Sequence, residues 1–143
     1  MRTSALRGRS LRGFIILLAL IDGAVHLELD RLLFGGDILS GRVSESFALN
    51  FVGYLGLVGL VLIAPSLLVP RQWLAYALLG VYALASIGAW IYFGGPNPMG
   101  PGHLDKGLEI VLLIAIAIHL TGMWSDGRGI RSHTAADRPG GAA

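Results

Sequence analysis

The chain has 143 residues, 54% hydrophobic and only 14% charged, with no cysteine. Soluble domains carry about 25% charged residues, so an ordinary soluble domain is excluded, and disulfides, thiolate metal sites and cysteine nucleophiles go with the missing cysteine. The net charge of +2 is small, so the placement of the basic residues says more than their sum.

The N-terminal MRTSALRGRSLRG followed by FIILLAL imitates a secretory signal, basic and then apolar. The residues after the apolar run, DGAVHLE, fit a cleavage site poorly, so the segment is expected to stay as a first span over residues 13–33. Further apolar runs cover residues 47–69, 72–93 and 104–124. Each is about 20 residues long, which at about 1.5 Å rise per residue matches a hydrocarbon layer of about 30 Å. The expected fold is an all-α, four-helix transmembrane bundle forming a single domain.

The connections are marked in the same way. Span two contains FVGYLGLVGL, whose Gly53, Gly56 and Gly59 are expected to let helices approach closely. The hairpin APSLLVPRQW carries Pro65 and Pro70, and the second proline should end span two. Trp73 and Tyr76 at one end of span three, Trp90, Tyr92 and Phe93 at the other, and Trp124 read as interfacial belts. GGPNPMGPGH is expected to be a compact loop rather than helix or strand. Residues 125–143, with His133 among them, read as a disordered polar tail.

Arg2, Arg7, Arg9, Arg12, Arg71, Arg128, Arg131 and Arg138 would share one side of a membrane. Arg31, Arg42 and Lys106 fall on the other, diluted by Asp30, Asp37, Glu45 and Asp105. By the positive-inside rule both termini are expected in the cytoplasm.

The stretch IDGAVHLELD then needs an explanation, because it loads a span with ionisable groups. Asp22, His26 and Asp30 are four apart and stack on one helix face, while Glu28 points elsewhere. A charge at the bilayer centre costs roughly 2.5–3.5 kcal/mol on insertion scales, so that face must look inward. Counting rise from the cytoplasmic ends sorts the polar groups into tiers. Asp30, Asn50 and Lys106 fall outermost; His26, Tyr54, Ser86 and Glu109 come next; Asp22 and Tyr82 lie deepest. Asp22, His26, Asp30, Asn50, Tyr54, Lys106 and Glu109 are therefore the candidate ligand-binding residues of a polar pocket in the outer half of the bundle. The bland reading is that they only fasten helices together, with Asp30 and Lys106 as an interfacial ion pair.

No catalytic residue and no cofactor is assigned. A metal site would draw on His26 with Asp22, Asp30 or Glu109, and His103, but Lys106 would repel a cation. Haem between His26 and His119 is disfavoured because their depths differ by more than about 10 Å on the rise count. Ser86 lies level with His26 and Glu109, as a nucleophile would require. Acids and a histidine stacked along one face also suit a proton relay.

AVHLELD in span one, FALNFVGYLGL opening span two and HLDKGLEIVLL in span four together resemble a loose set of small, uncharacterised prokaryotic membrane proteins with four predicted spans. The marks are His26, Asn50, Gly53, Tyr54, Lys106 and Glu109. The resemblance implies the four-span fold and a prokaryotic inner membrane, and no activity. The expectation is a non-enzymatic accessory subunit or small-ligand binder. Its partners would be the lipid bilayer, other membrane subunits or copies of itself, and not nucleic acid. The rival is a membrane enzyme or proton-coupled carrier using Asp22, His26 and Glu109.

Overall fold

The computed structural model describes residues 2–35, 44–68, 71–93 and 100–136, with side chains from Gly8 to Ser125 apart from a few at helix ends. These residues form four helices and no strand: α1 (Arg2–Phe34), α2 (Glu45–Leu67), α3 (Trp73–Phe93) and α4 (Gly100–Ala136). Each contains a stretch long and apolar enough to cross a membrane: Gly8–Leu32, Glu45–Leu67, Trp73–Tyr92 and Gly102–Ser125. The helices close into a ring in which α1 touches α2 and α4, and α3 touches the same two. Neighbours run antiparallel, since Arg12 meets Val61 while Asp30 meets Ser44, and Tyr76 meets His119 while Trp90 meets His103.

The helix ends have local causes. At the end of α1, Gly35 takes φ 66° and its N–H donates to the Arg31 carbonyl at 3.2 Å, the left-handed stop that glycine permits. Ser44 caps α2 in extended backbone, and Glu45 places a negative charge in the first turn, where the helix dipole favours it. Two boundaries differ from expectation. Gly100, Pro101, Gly102 and His103 belong to α4 rather than to the loop, because a proline in the first turn has no intrahelical N–H to lose. At its other end α4 continues past Trp124 to Ala136, since no proline follows Pro101 until Pro139. The remaining tail, the central part of the expected cap and Pro70 fall outside the described residues.

Burial is inverted relative to a soluble bundle. Leu17, Val81 and Ile118 are 54%, 62% and 57% exposed, whereas Asp22 and Glu109 are 0% exposed. An apolar exterior around buried charge is what lipid demands, since it solvates methyl groups and not carboxylates. Toward the Arg12 end the interior is apolar, built from Ile15, Ala19, Val61, Ala75, Leu79, Leu112 and Ile116. Tyr76 lies in this layer against the His119 ring, at a centroid distance of 4.4 Å, so it is core rather than belt.

Two details show how the sequence permits this packing. Pro65 lies inside α2 and has no N–H for the Val61 carbonyl four residues back. The Arg12 guanidinium from α1 donates to that oxygen at 3.0 Å and to the Leu62 oxygen at 2.9 Å, supplying the missing donor. Of the three glycines in span two, only Gly53 is closely approached: the Tyr82 phenol end lies where its Cβ would be. Gly56 and Gly59 have nothing within 4 Å of that position, so they do not form the packing stripe expected of them. A repeat of three drifts around a helix of 3.6 residues per turn, so the glycines cannot all face one neighbour.

Candidate functional site

Above the apolar layer, α1 and α4 each turn a row of ionisable groups inward. On α1 the row is Asp22, His26 and Asp30; on α4 it is Asp105, Lys106 and Glu109, and all six are buried. His26 is central. Its Nδ1 lies 2.9 Å from the Asp22 carbonyl oxygen, which only accepts, so Nδ1 carries a hydrogen. The same nitrogen is 3.4 Å from Asp105 Oδ1, while Nε2 lies 3.9 Å from Glu109 Oε1 and 3.5 Å from Ser86 Oγ. The ring also packs between Phe47 and Tyr54, with centroids at 6.2 Å and 6.0 Å.

Lys106 ties the α4 acids together. Its Nζ is 2.8 Å from Asp105 Oδ2, 2.8 Å from Glu109 Oε2 and 3.1 Å from Ser86 Oγ. Ser86 Oγ also accepts from Asn50 Nδ2 at 3.3 Å, and Tyr54 donates to Glu109 Oε1 at 3.2 Å. Tyr54 is held in turn by Tyr82, which packs edge-on at 5.1 Å and donates to the Leu49 carbonyl at 3.2 Å. Neither carboxylate oxygen of Asp22 meets hydrogen-bond geometry with a described residue, although the Tyr54 hydroxyl that donates to Glu109 lies beside it. One ligand atom from each of Asp22, His26, Asp105 and Glu109 falls within 4.8 Å of the others.

No protein-family model, curated protein or solved structure matches the chain. The site must therefore be read from its own geometry.

Of the seven expected site residues, His26, Asn50, Tyr54, Lys106 and Glu109 converge as one network. Asp22 joins them rather than lying in a deeper tier, because its carboxylate is within reach of the α4 acids. The rise count misplaced it by setting Gly13 level with the inner ends of the other spans, whereas Gly23 packs against Phe51 and Arg12 reaches Val61, so α1 sits further along the bundle axis than the count assumed. Asp30 stands apart: both of its oxygens accept the Ser44 N–H at 3.3 Å, anchoring the start of α2. Lys106 pairs with Asp105 and Glu109 among the described residues, not with Asp30. Glu28 is exposed and paired with Arg31, as its separate face requires.

Asp105 is the residue the sequence reading missed, counted there only as a charge outside the membrane. Its signal was present. Asp105 and Glu109 are i, i+4 on α4, the same spacing that marked Asp22 and His26 on α1.

The charge balance of this cluster decides what it can do. Asp22, Asp105 and Glu109 face one ammonium, Lys106, so with all three carboxylates ionised and a neutral imidazole the site would carry two negative charges in excess. In an apolar surround such an excess is costly unless a cation or protons complete it. Catalysis by Ser86 is poorly served, because its oxygen already accepts from the Lys106 ammonium and the Asn50 amide. Those two donors occupy the lone pairs a nucleophile would need.

Proposed function

We propose that this chain is a non-enzymatic integral membrane protein of a prokaryotic inner membrane. Both termini lie in the cytoplasm, and the buried cluster holds a small cationic ligand in the outer half of the bundle. One observation carries the reading: the Asp22 carboxylate is fully buried, with no cation on it among the described residues and only the Tyr54 hydroxyl it shares with Glu109 nearby, beside two further acids that a single lysine does not neutralise. A cation supplies what the cluster lacks. The orientation rests on the arginines in the first third of α1, after α2 and toward the end of α4 and beyond it, which favour the cytoplasmic side. Accessory-subunit partners or a second copy would contact the outer, lipid-facing surfaces and leave this interior unchanged.

The test is thermal unfolding of the full chain in lipid nanodiscs with sodium, potassium, ammonium, magnesium, manganese or zinc chloride. A ligand that binds only the folded state stabilises it by about 2.7 kcal/mol at a hundredfold excess over Kd. At least one of these cations is expected to raise the midpoint of the parent in a dose-dependent way and to leave Asp22→Asn unmoved. Equal shifts in both proteins, or none in either, refute the reading. Proton efflux from liposomes driven by a cation gradient, lost in Asp22→Asn, would instead establish the proton-coupled carrier.

A further inference from the structure

We infer that the cation is a single divalent transition-metal ion of the manganese, iron or zinc class, held by Asp22, His26, Asp105 and Glu109. This rests on the cation reading above and narrows it. Three observations separate these residues from a mere acidic cluster. First, the set contains a nitrogen donor. With Nδ1 committed to the Asp22 carbonyl at 2.9 Å, Nε2 is the ring nitrogen left with a lone pair. A ring N–H fixed on a backbone carbonyl is the usual support of a metal-binding histidine, setting both tautomer and orientation. Second, Asp22 offers two buried oxygens and Asp105 offers Oδ1, also buried. These are acceptors without a well-formed hydrogen bond among the described residues, gathered within a few ångströms inside a membrane-length bundle. Third, the remaining oxygens are already oriented: Lys106 holds Asp105 Oδ2 and Glu109 Oε2 at 2.8 Å each, and Tyr54 approaches Glu109 Oε1 at 3.2 Å.

Lys106 therefore works opposite to its expected role. It is not a free charge repelling a cation but a bridge that reduces three carboxylates to an excess of two. A divalent ion cancels that excess, whereas a monovalent ion leaves one charge over. The spacing also fits. Metal–ligand bonds of about 2.1 Å in a tetrahedral site put ligand atoms about 3.4 Å apart. His26 Nε2 to Glu109 Oε1 is 3.9 Å, and one ligand atom from each of the four residues lies within 4.8 Å of the others. A contraction of up to about 1.4 Å along the longest edge would close the set. One imidazole with carboxylates favours manganese, iron and zinc over the all-oxygen preference of magnesium and calcium.

The experiment uses the full chain in nanodiscs, stripped with EDTA and titrated with manganese or zinc chloride, with metal retained after gel filtration counted by mass spectrometry. Cobalt(II) absorption in the visible range reports nitrogen and oxygen ligation directly. One ion per chain is expected, with at least a tenfold loss of affinity in Asp22→Asn and His26→Ala and no loss in Glu28→Gln. Asp22→Asn keeps the side-chain shape, so it remains informative if His26→Ala fails to fold. Retention of no metal by the folded parent, or retention unaffected by Asp22→Asn, overturns the inference. If sodium or ammonium then stabilises the parent but not Asp22→Asn, the metal assignment fails and the cation reading stands; if no cation does so, both fall.

Discussion

Gly53 links the packing of the bundle to the charged cluster, and replacing it with alanine measures that link. A methyl there would overlap Tyr82 Oη and Cζ and lie 3.0 Å from Cε2. The phenol ring must move, losing its bond to the Leu49 carbonyl and its edge contact with Tyr54. The hydrogen bond contributes about 1 kcal/mol net and the aromatic pair about 0.5–1.5 kcal/mol. Against this, alanine gains about 1 kcal/mol of helix propensity over glycine. Gly56→Ala isolates that gain, since nothing lies within 4 Å of its added carbon. The two substitutions should therefore differ by about 2 kcal/mol, read from reversible unfolding in lipid nanodiscs or mixed micelles. The clash involves the ring as well as the hydroxyl, so Tyr82→Phe should relieve little of the Gly53→Ala loss, while Tyr82→Leu should relieve most of it. Equal stability of Gly53→Ala and Gly56→Ala, or full relief by phenylalanine, would refute the close approach of α2 and α3 at this point.

Two further outcomes follow from named contacts. Arg12→Met should cost about 1.5 kcal/mol when Pro65 is present, because the Val61 carbonyl, which Pro65 cannot serve, then loses the guanidinium donor. With Pro65→Ala the backbone supplies that donor, so a double-mutant cycle by reversible unfolding should show coupling of about 1 kcal/mol; strictly additive losses would contradict the clamp. Lys106→Met removes the ammonium shared by Asp105 and Glu109 and should cost about 3–5 kcal/mol in the same assay, the range for breaking a buried ion pair. Adding Asp105→Asn should restore a substantial part, since it removes one of the stranded charges; no recovery would mean the stabilisation by Lys106 is not electrostatic.

Much of this was legible in the sequence, for identifiable reasons. Hydropathy runs of bilayer length foretold four membrane-length helices, and the i, i+4 repeat of Asp22, His26 and Asp30 marked the face that is buried. What failed was vertical placement. Apolar runs do not fix how far one helix slides along its neighbour: Gly23 lies against Phe51 and Arg12 against Val61, an offset the count from Gly13 and Leu68 did not contain, so Asp22 was put in the wrong tier. Asp105 was lost because a charged residue at the mouth of a span looks like loop, and only the position of Glu109 one turn on shows that it faces inward. The Lys106 bridge was out of reach in principle. Sequence spacing places a side chain on a face but does not say which of several neighbouring acids it will bond.

The central claim is that α1 and α4 bring His26 and Glu109 together inside the bundle, and solid-state NMR in lipid bilayers reads this directly. With 15N-labelled histidine and 13C-labelled glutamate, the 3.9 Å separation of His26 Nε2 and Glu109 Oε1 should give a cross-peak between that nitrogen and the Glu109 carboxyl carbon. The peak should vanish in Glu109→Gln while the histidine resonance stays shielded from bulk water. No such peak in the folded parent, or a His26 ring in contact with lipid chains, would contradict the account.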